Sequence, residues 1–558
     1  MNNLTSSSSS TSTNSTNTTE WCVMSLEQLN LLIADVICPE CPEEESNCLS
    51  IKAHNDPTRK GFSLKIQMEC DKCGLHRTMH SSPQEAKNKE YLINKMMTTF
   101  FHKRGGFTTM EEFAALLGQK GLCLKSFQKS EKKIIKANID SCENVLSSTV
   151  EQIRQVYASM GVFPDANGFL NIAVSYDGSW PKRGHTSNYG FGAVCEIHTG
   201  LVVDYILVSK YCQLCTAKVN KLGKNSDLFT EWHSKHKDSG KCQINYEGSS
   251  NAMEAEIAVR LWSRSVEKHK LRYTVFLGDG DSKAFDKLVE LEIYGNIKIV
   301  REECSNHAHK RMGTALLKLT KSLKLGGRAW GSLTQEKCLY FQRMYKNACK
   351  RCQGKPDEMR TAVWASLFHC LSTDKKPQHT RYPSGAESWC FYQRAKANKV
   401  KPPTHALKKN LGHPITPKVA KAMTPIYTRM SEPTLLKRIS KGITQNPNES
   451  LHGKIWSIVN KAKFQSFNTL KGLVAQGVAG FNAGSSAMNL AMRELSLETS
   501  EMMNVLAERR DIKRIRLARL RASTAKKVAR QKQQESKKLE RAALLLKEGP
   551  TYGPGIDQ

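Results

Sequence analysis

The sequence predicts an α/β protein: a mixed-sheet core broken open by two insertions, with a small cysteine-stapled module ahead of it and a basic helix behind. Three observations carry that reading. Between residues 169 and 210, apolar runs separated by tight turns follow one another at strand spacing. From Arg272 to Phe285, an apolar run passes through a Gly-rich turn with two aspartates into a helical pattern. Cys-x-x-Cys pairs stand at 38/41, 70/73 and 212/215, a spacing that suits tetrahedral metal coordination.

Composition bounds the partners. The chain has 558 residues and a net charge of +32. That length gives room for roughly two to four domains. A pI near 9.5 far exceeds what solubility needs, so a polyanion, nucleic acid before an anionic membrane surface, is the expected partner. No apolar run approaches the ~20 residues that span a bilayer, and the start does not resemble a signal peptide. An intracellular setting is therefore expected, with the 18 cysteines serving as metal ligands and buried thiols.

Residues 1–24 are mostly Ser, Thr and Asn and are expected to be a disordered tail. Residues 25–80 read as a zinc ribbon. A short amphipathic helix leads into Cys38, Cys41, Cys70 and Cys73, four thiolates that fill a tetrahedral zinc site and leave no position open for substrate. Residues 81–160 carry helical patterns over 90–104, 109–117, 121–129 and 139–160, a connector or DNA-binding region.

Strands are expected over 169–176, 190–196 and 201–208, with His198-Thr-Gly200 as a hairpin signal. Three antiparallel strands, the first ending near Asp177, suit the opening of a ribonuclease H-like sheet, with the core spanning 161–324. A zinc-binding insertion over about 209–248 holds Cys212, Cys215, His236 and Cys242, with His233 competing for the histidine position. Residues 249–268 read as a helix with Ser249 at its start, in whose first turn Glu254 and Glu256 favour the helix terminus electrostatically. A strand over 272–278 then ends at Asp279 and Asp281, where open α/β sheets place their active sites. A short strand at 296–300 leads through Cys304-Ser-Asn-His307 into a basic helix, 309–324.

Residues 325–440 form a large, Lys/Arg-rich helical insertion, in which Cys349/Cys352 and His369/His379/Cys390 read better as buried groups than as metal ligands. Residues 441–500 complete the core: Asn448 can cap a helix whose first turn carries Glu449. Residues 501–558 are a basic helix and tail, fitting phosphate contacts or a nuclear import signal.

Asp177, Asp279 and Glu449, with Asp281 as the alternative second acid, are the candidate catalytic residues. Hard oxygen ligands at a sheet edge can hold two Mg²⁺ or Mn²⁺ about 4 Å apart for in-line phosphoryl transfer. The strings DGSWPKRGH, SKYCQLC, EGSSNAMEAE, LGDGDSKAF, ECSNHAHKRMGT and NPNESLHGKIW resemble, in order, the blocks of Mutator-like transposases, over roughly residues 160–460. The resemblance implies a ribonuclease H-like fold with an Asp-Asp-Glu site at Asp177, Asp279 and Glu449. It maps the family's Cys-x-x-His element to Cys304 and His307, beside that site. It also implies a nuclear DNA transposase that binds terminal inverted repeats and target DNA as a multimer. A non-catalytic DNA-binding descendant and a nuclease acting on RNA–DNA hybrids are the alternatives. The chain departs from the family pattern at Tyr382 and Tyr246, where relatives often carry Cys and His, so any metal site built on those positions is in doubt.

Overall fold

The computed structural model describes residues 24–540 apart from 42–47, 54–60, 86–88, 182–186, 281–282, 383, 389, 406–412, 460–463 and scattered positions between 524 and 539. The expected N-terminal tail, Asp281 and the end of the basic C-terminal segment lie outside the described residues. The chain divides into two units: residues 1–142 with 468–511, and residues 143–467 with 512–558.

In the first unit, Ser25 caps α1 (Leu26–Ile33), its hydroxyl accepting from the Gln28 amide at 3.1 Å. Asn30 on that helix clamps Ile51 on β1 (Leu49–Ala53), donating to its carbonyl at 2.9 Å and accepting from its amide at 2.6 Å. β2 (Lys65–Cys70) and β3 (His76–His80) complete an antiparallel sheet in the order β1-β2-β3. Its core is small and cysteine-rich, with Cys38, Cys48, Leu49, Cys70 and Leu75 buried together. α2 (Leu92–Lys103) and α3 (Gly106–Leu116) close over Phe101, Met110 and Phe127.

Residues 121–160, expected as two helices, form one, α4 (Leu124–Ser159). The lysines of 129–136 suggest a break, but Ser130, Ile134, Ala137 and Asn138 are buried and carry the inward stripe straight through. The helix is shared between the units, which divide after Cys142.

The second unit is built on β4 (Leu170–Ser179), β5 (Tyr189–Glu196) and β6 (Val202–Ser209), all antiparallel neighbours. The hairpin between β5 and β6 is pinned by the Glu196 carboxylate, which accepts from the amides of His198 at 2.9 Å and Thr199 at 2.7 Å. α5 (Gln213–Leu222) and α6 (Asp227–Asp238) make up the cysteine-bearing insertion. α7 (Met253–His269) returns the chain to the sheet. It packs so closely on β5 that a Cβ on Gly192 would lie 2.6 Å from Ile257. β7 (Leu271–Gly278) pairs parallel with β4 and is followed by α8 (Lys283–Glu290). β8 (Val300–Glu303) adds a second parallel neighbour, so the sheet runs β6-β5-β4-β7-β8. Under it Tyr176, Trp262, Tyr273 and Phe276 meet ring to ring, and the Trp262 indole donates to the Tyr273 carbonyl at 3.1 Å.

β8 lies four residues later than the apolar residues 296–300 suggest. Its buried members include Glu302 and Glu303, which Lys441 (2.7 Å), Arg438 (2.9 Å) and Arg311 neutralise. A strand made of paired acids has no apolar signature, which is why the pattern misplaces it.

α9 (Ser305–Ser322) opens the helical insertion, and α10 (Gln335–Arg351), α11 (Pro356–Leu371), α12 (Phe391–Ala397), α13 (Pro417–Met430) and α14 (Pro433–Ile439) follow. Phe341, Tyr345, Met423 and Tyr427 fill the core that α9, α10, α11, α13 and α14 share. α15 (Asn446–Ile458) then returns to the sheet.

The expected single completion over 441–500 divides instead. Residues to Phe467 cluster with the sheet, whereas 468–511 join the N-terminal unit. There α16 (Phe467–Asn482) approaches α4 so closely that a Cβ on Gly472 would meet Ile135 at 2.9 Å. Met492 of α17 (Ala487–Glu494), with Leu495 and Leu497, buries against Ile134 and Ala137. α18 (Glu501–Ala522) opens the basic C-terminal segment. No helix among the described residues is long and apolar enough to cross a membrane.

Candidate active site and metal-binding clusters

Ser175 of β4 pairs with Leu277 of β7, so Asp177 and Asp279 each lie two residues further along neighbouring parallel strands. α15 is docked over the same strand end by its side chains. Gln445 donates to the Tyr176 carbonyl at 2.7 Å. Asn448 donates to the carbonyls of Ala193 (3.0 Å) and Ser175 (3.3 Å) and accepts from the Ser175 hydroxyl. The Trp456 indole donates to the Ser179 hydroxyl at 2.8 Å. Residues 448, 452 and 456 recur every fourth position, so one helix face makes these contacts. Asn448 does not cap the helix as expected; Gln445 stands at the N-cap, and Asn448 is buried against the sheet.

Glu449 thus enters the first turn of a helix fixed to the strand that bears Asp177. Burial pushes the Asp177 carboxyl up, and the negative charges of Glu254, Asp279 and Glu449 push it further, to about 8. The charges of Asp279 and Glu449 thus both bear on Asp177. Their ligand atoms are not gathered within 4.8 Å of one another; among the described residues, three other groups are. Asp281 lies outside the described residues.

Cys304 is buried at the N-cap of α9, its amide donating to the Gly278 carbonyl at 2.9 Å and its sulfur accepting from the Gln445 amide at 3.3 Å. It ties the end of β7 to the entry of α15. His307, three residues on, places Nε2 at 3.4 Å from Glu449, and Lys310 reaches the same carboxylate at 3.7 Å.

Two neighbours escaped the sequence reading. His452 holds Nδ1 at 3.6 Å from the Asp177 carboxylate and packs edge-on against Phe191. Its position three residues after Glu449, on the same helix face, was the available signal. Glu254, read as a helix-terminus charge, lies over β4: a Cβ on Gly178 would meet its Cγ at 3.2 Å and Cδ at 3.3 Å. Glycine beside the acid is what lets this fourth carboxylate approach.

The cysteine clusters are built independently. In the first unit, Cys38, Cys41, Cys70 and Cys73 bring their sulfurs within 4.8 Å of one another, with 3.5 Å between Cys38 and Cys73 and between Cys41 and Cys70. Amide donors, led by that of Cys73, bring the Cys70 thiol down to about 6, while burial and neighbouring thiols push Cys41 up. In the second unit, Cys212, Cys215, His236 and Cys242 form an equivalent group. His236 supplies its nitrogen 3.5 Å from Cys212 and stacks on Trp232, whereas His233 stacks on Phe229. Burial opposes ionisation of Cys212, but hydrogen bonds from Gln243 and His236 outweigh it and bring the thiol to about 6. Four thiol or imidazole ligands competing for one space is the donor chemistry of tetrahedral zinc, and both groups could hold such a metal.

Cys349 lies in the core of the helical insertion beside Tyr345, a buried thiol as expected. His369, His379 and Cys390 are buried, as expected, and the structure also gathers them into a third group. Tyr382 and Tyr246 spend their hydroxyls on the Ala365 and Ser249 carbonyls.

A family model for Mutator-like transposases matches residues 20–390, about two thirds of the chain. The chain belongs to the Mutator-like transposase family. No curated protein and no solved structure matches it. In this family member the matched stretch contains Asp177, Asp279, Cys304, His307 and both zinc-type clusters, and Glu449 lies beyond it. Membership in a transposase family implies DNA binding, in keeping with a charge of +32.

Proposed function

We propose that this protein is a DNA transposase that cuts transposon ends and joins the freed 3′-hydroxyls to target DNA. One observation carries the proposal: Asp177 and Asp279 follow each other at the ends of the inner parallel strands β4 and β7, and the charges of Asp279 and of Glu449 on α15 both bear on Asp177. The order β6-β5-β4-β7-β8, three antiparallel strands followed by two parallel ones, supports assigning the core to the ribonuclease H-like class. The carboxylates supply hard oxygen donors for Mg²⁺ or Mn²⁺, and the repulsion that the other acids exert on Asp177 is what a divalent cation relieves. Such a cation, when bound, supplies Lewis acidity toward the phosphodiester.

The chain's own residues arrange the rest. Gln445 and Asn448 fix Glu449 relative to Asp177, and His452 restrains the Asp177 carboxylate. His307 and Lys310 hold Glu449, and the exposed lysines of α9 offer the phosphate backbone positive charge. Zinc in the two four-ligand clusters serves structure rather than chemistry. Two DNA ends must be paired, so a multimer on DNA in the nucleus completes the reading.

The test is Mg²⁺-dependent cleavage of DNA carrying the element's terminal repeats. Asp177→Asn, Asp279→Asn and Glu449→Gln should each lower cleavage at least about 10³-fold, with DNA affinity changed less than about threefold. Undiminished cleavage by these variants refutes the proposal. The separation of the acids favours one second reading, a DNA-binding descendant without chemistry. It predicts wild-type binding with no cleavage at any Mg²⁺ or Mn²⁺ concentration.

A further inference from the structure

The helical insertion contains a polar cluster that strand cutting does not use. His369 lies in the last turn of α11, His379 in the stretch that follows, Cys390 at the N-cap of α12 and His405 beyond that helix. All four are buried, none more than 7% exposed. Sequence spacing hides them, because they come from four separate stretches and make no Cys-x-x-Cys or His-x-x-His pair.

In space the ligand atoms of His369, His379 and Cys390 lie within 4.8 Å of one another. The Cys390 sulfur is 3.2 Å from Nδ1 of His379. On the other side of that ring, Nε2 of His379 lies 2.7 Å from Nε2 of His405, and Nδ1 of His405 faces the Asp374 carboxylate. The Ser372 hydroxyl stands 2.9 Å from both Nε2 atoms, and with both rings neutral the protons are assigned as follows. Asp374 as a carboxylate only accepts, so His405 carries its proton on Nδ1 and offers a lone pair at Nε2. His379 then donates from Nε2, which leaves its Nδ1 lone pair aimed into the space it shares with Cys390 and His369. A ligating histidine characteristically has its second nitrogen held in this way by a chain ending in a carboxylate.

The surrounding architecture gives such a site something to do. From Ser372 to Cys390 the described residues form no helix or strand, and the local core is Ala365, Tyr382 and Cys390. Loops longer than about 12–15 residues without secondary structure are uncommon in compact domains. Where a local core is this small, a bound metal commonly provides the missing folding energy.

We propose that His369, His379 (through Nδ1) and Cys390 form a third metal site, which takes a divalent ion of the zinc class. The mixed nitrogen and thiolate donor set selects that class over Mg²⁺ or Ca²⁺. Three protein ligands leave the fourth position to water, and the ion ties the end of α11 to the start of α12. His405 and Asp374 orient His379 without touching the metal.

The test uses the full-length protein purified with zinc. Metal content by mass spectrometry should fall by one equivalent in Cys390→Ser, with the remaining zinc unchanged. His405→Gln and Asp374→Asn should keep that equivalent but release it to a chelator about 10–100-fold faster than wild type. After Co²⁺ exchange, Cys390→Ser should lose the share of thiolate-to-cobalt absorption that belongs to a single sulfur. Wild-type metal content in folded Cys390→Ser overturns the proposal. If that variant does not fold, wild-type release kinetics in His405→Gln and Asp374→Asn overturn it instead.

Discussion

Asp177 is a carboxyl that the metal-free folded protein prefers to keep protonated, so replacing it with Asn should remove a pH-dependent weakness. Burial first, then the charges of Glu254, Asp279 and Glu449, carry it from 3.8 to about 8. In the unfolded chain it ionises near 3.8. Between those two values the folded state holds the extra proton, stability falls as pH rises, and above about 8 the whole penalty is in force. At 1.36 kcal/mol per pH unit that window amounts to on the order of 5 kcal/mol. The side chain is 29% exposed, and solvent screening reduces the figure to roughly 2–4 kcal/mol. About half of the window lies above pH 6. Asp177→Asn should therefore gain roughly 1–2 kcal/mol on wild type between pH 6 and pH 9. Native-state hydrogen exchange at β4 and β5 amides reads this locally, in buffer without Mg²⁺ and with zinc left in place. Added Mg²⁺ should erase the difference by stabilising wild type alone. A difference that stays flat from pH 6 to pH 9 refutes the raised Asp177 carboxyl, and with it the charge that the neighbouring acids place on it.

Glu254→Gln removes the largest single charge effect on Asp177, so the same exchange measurement should show a smaller pH-dependent weakness that reaches its limit at a lower pH than in wild type. Burial raises Asp204, but hydrogen bonds from His269 and Arg264 and the charges of Arg264 and Lys268 outweigh it and leave the carboxyl at about 2. Its stabilisation is present above pH 3.8 and lost as pH falls toward 2, and Asp204→Asn should cost about 3 kcal/mol near neutrality by urea unfolding of the sheet unit. Cys212→Ser should strip hydrogen-exchange protection from α5 and α6 while β4 to β8 keep theirs. Lys310→Gln should reduce the slope of log K against log salt for DNA binding by about one.

The strands that carry the acids are legible because β4, β5, β6 and β7 bury apolar residues at strand spacing, and the cysteine clusters because their ligands come in short, fixed intervals. What is lost is long-range or charge-compensated. β8 is invisible to hydropathy, since Glu302 and Glu303 are buried only by virtue of Lys441, Arg438 and Arg311, two of them from the far end of the insertion. Asn448 looks like a helix cap until the carbonyls of Ser175 and Ala193 are in place to receive it. Glu254 looks like a helix-terminus charge until Gly178 brings it against β4. The His369, His379 and Cys390 group has no spacing signal at all, because three separate segments meet only in the fold.

The bond from the Gln445 amide to the Cys304 sulfur spans 141 residues of chain, and the Ser305 amide meets the Ile443 carbonyl at 3.1 Å beside it. The whole helical insertion is thus a closed loop whose two ends are fastened at the sheet. For a loop so closed, size is cheap to change. Cutting it to a tenth of its length alters the entropy of closure by only about 2 kcal/mol, in favour of the shorter form. Glu449 can therefore keep its place over a wide range of insertion lengths, provided the two ends that carry His307, Lys310, Arg311, Arg438 and Lys441 are kept.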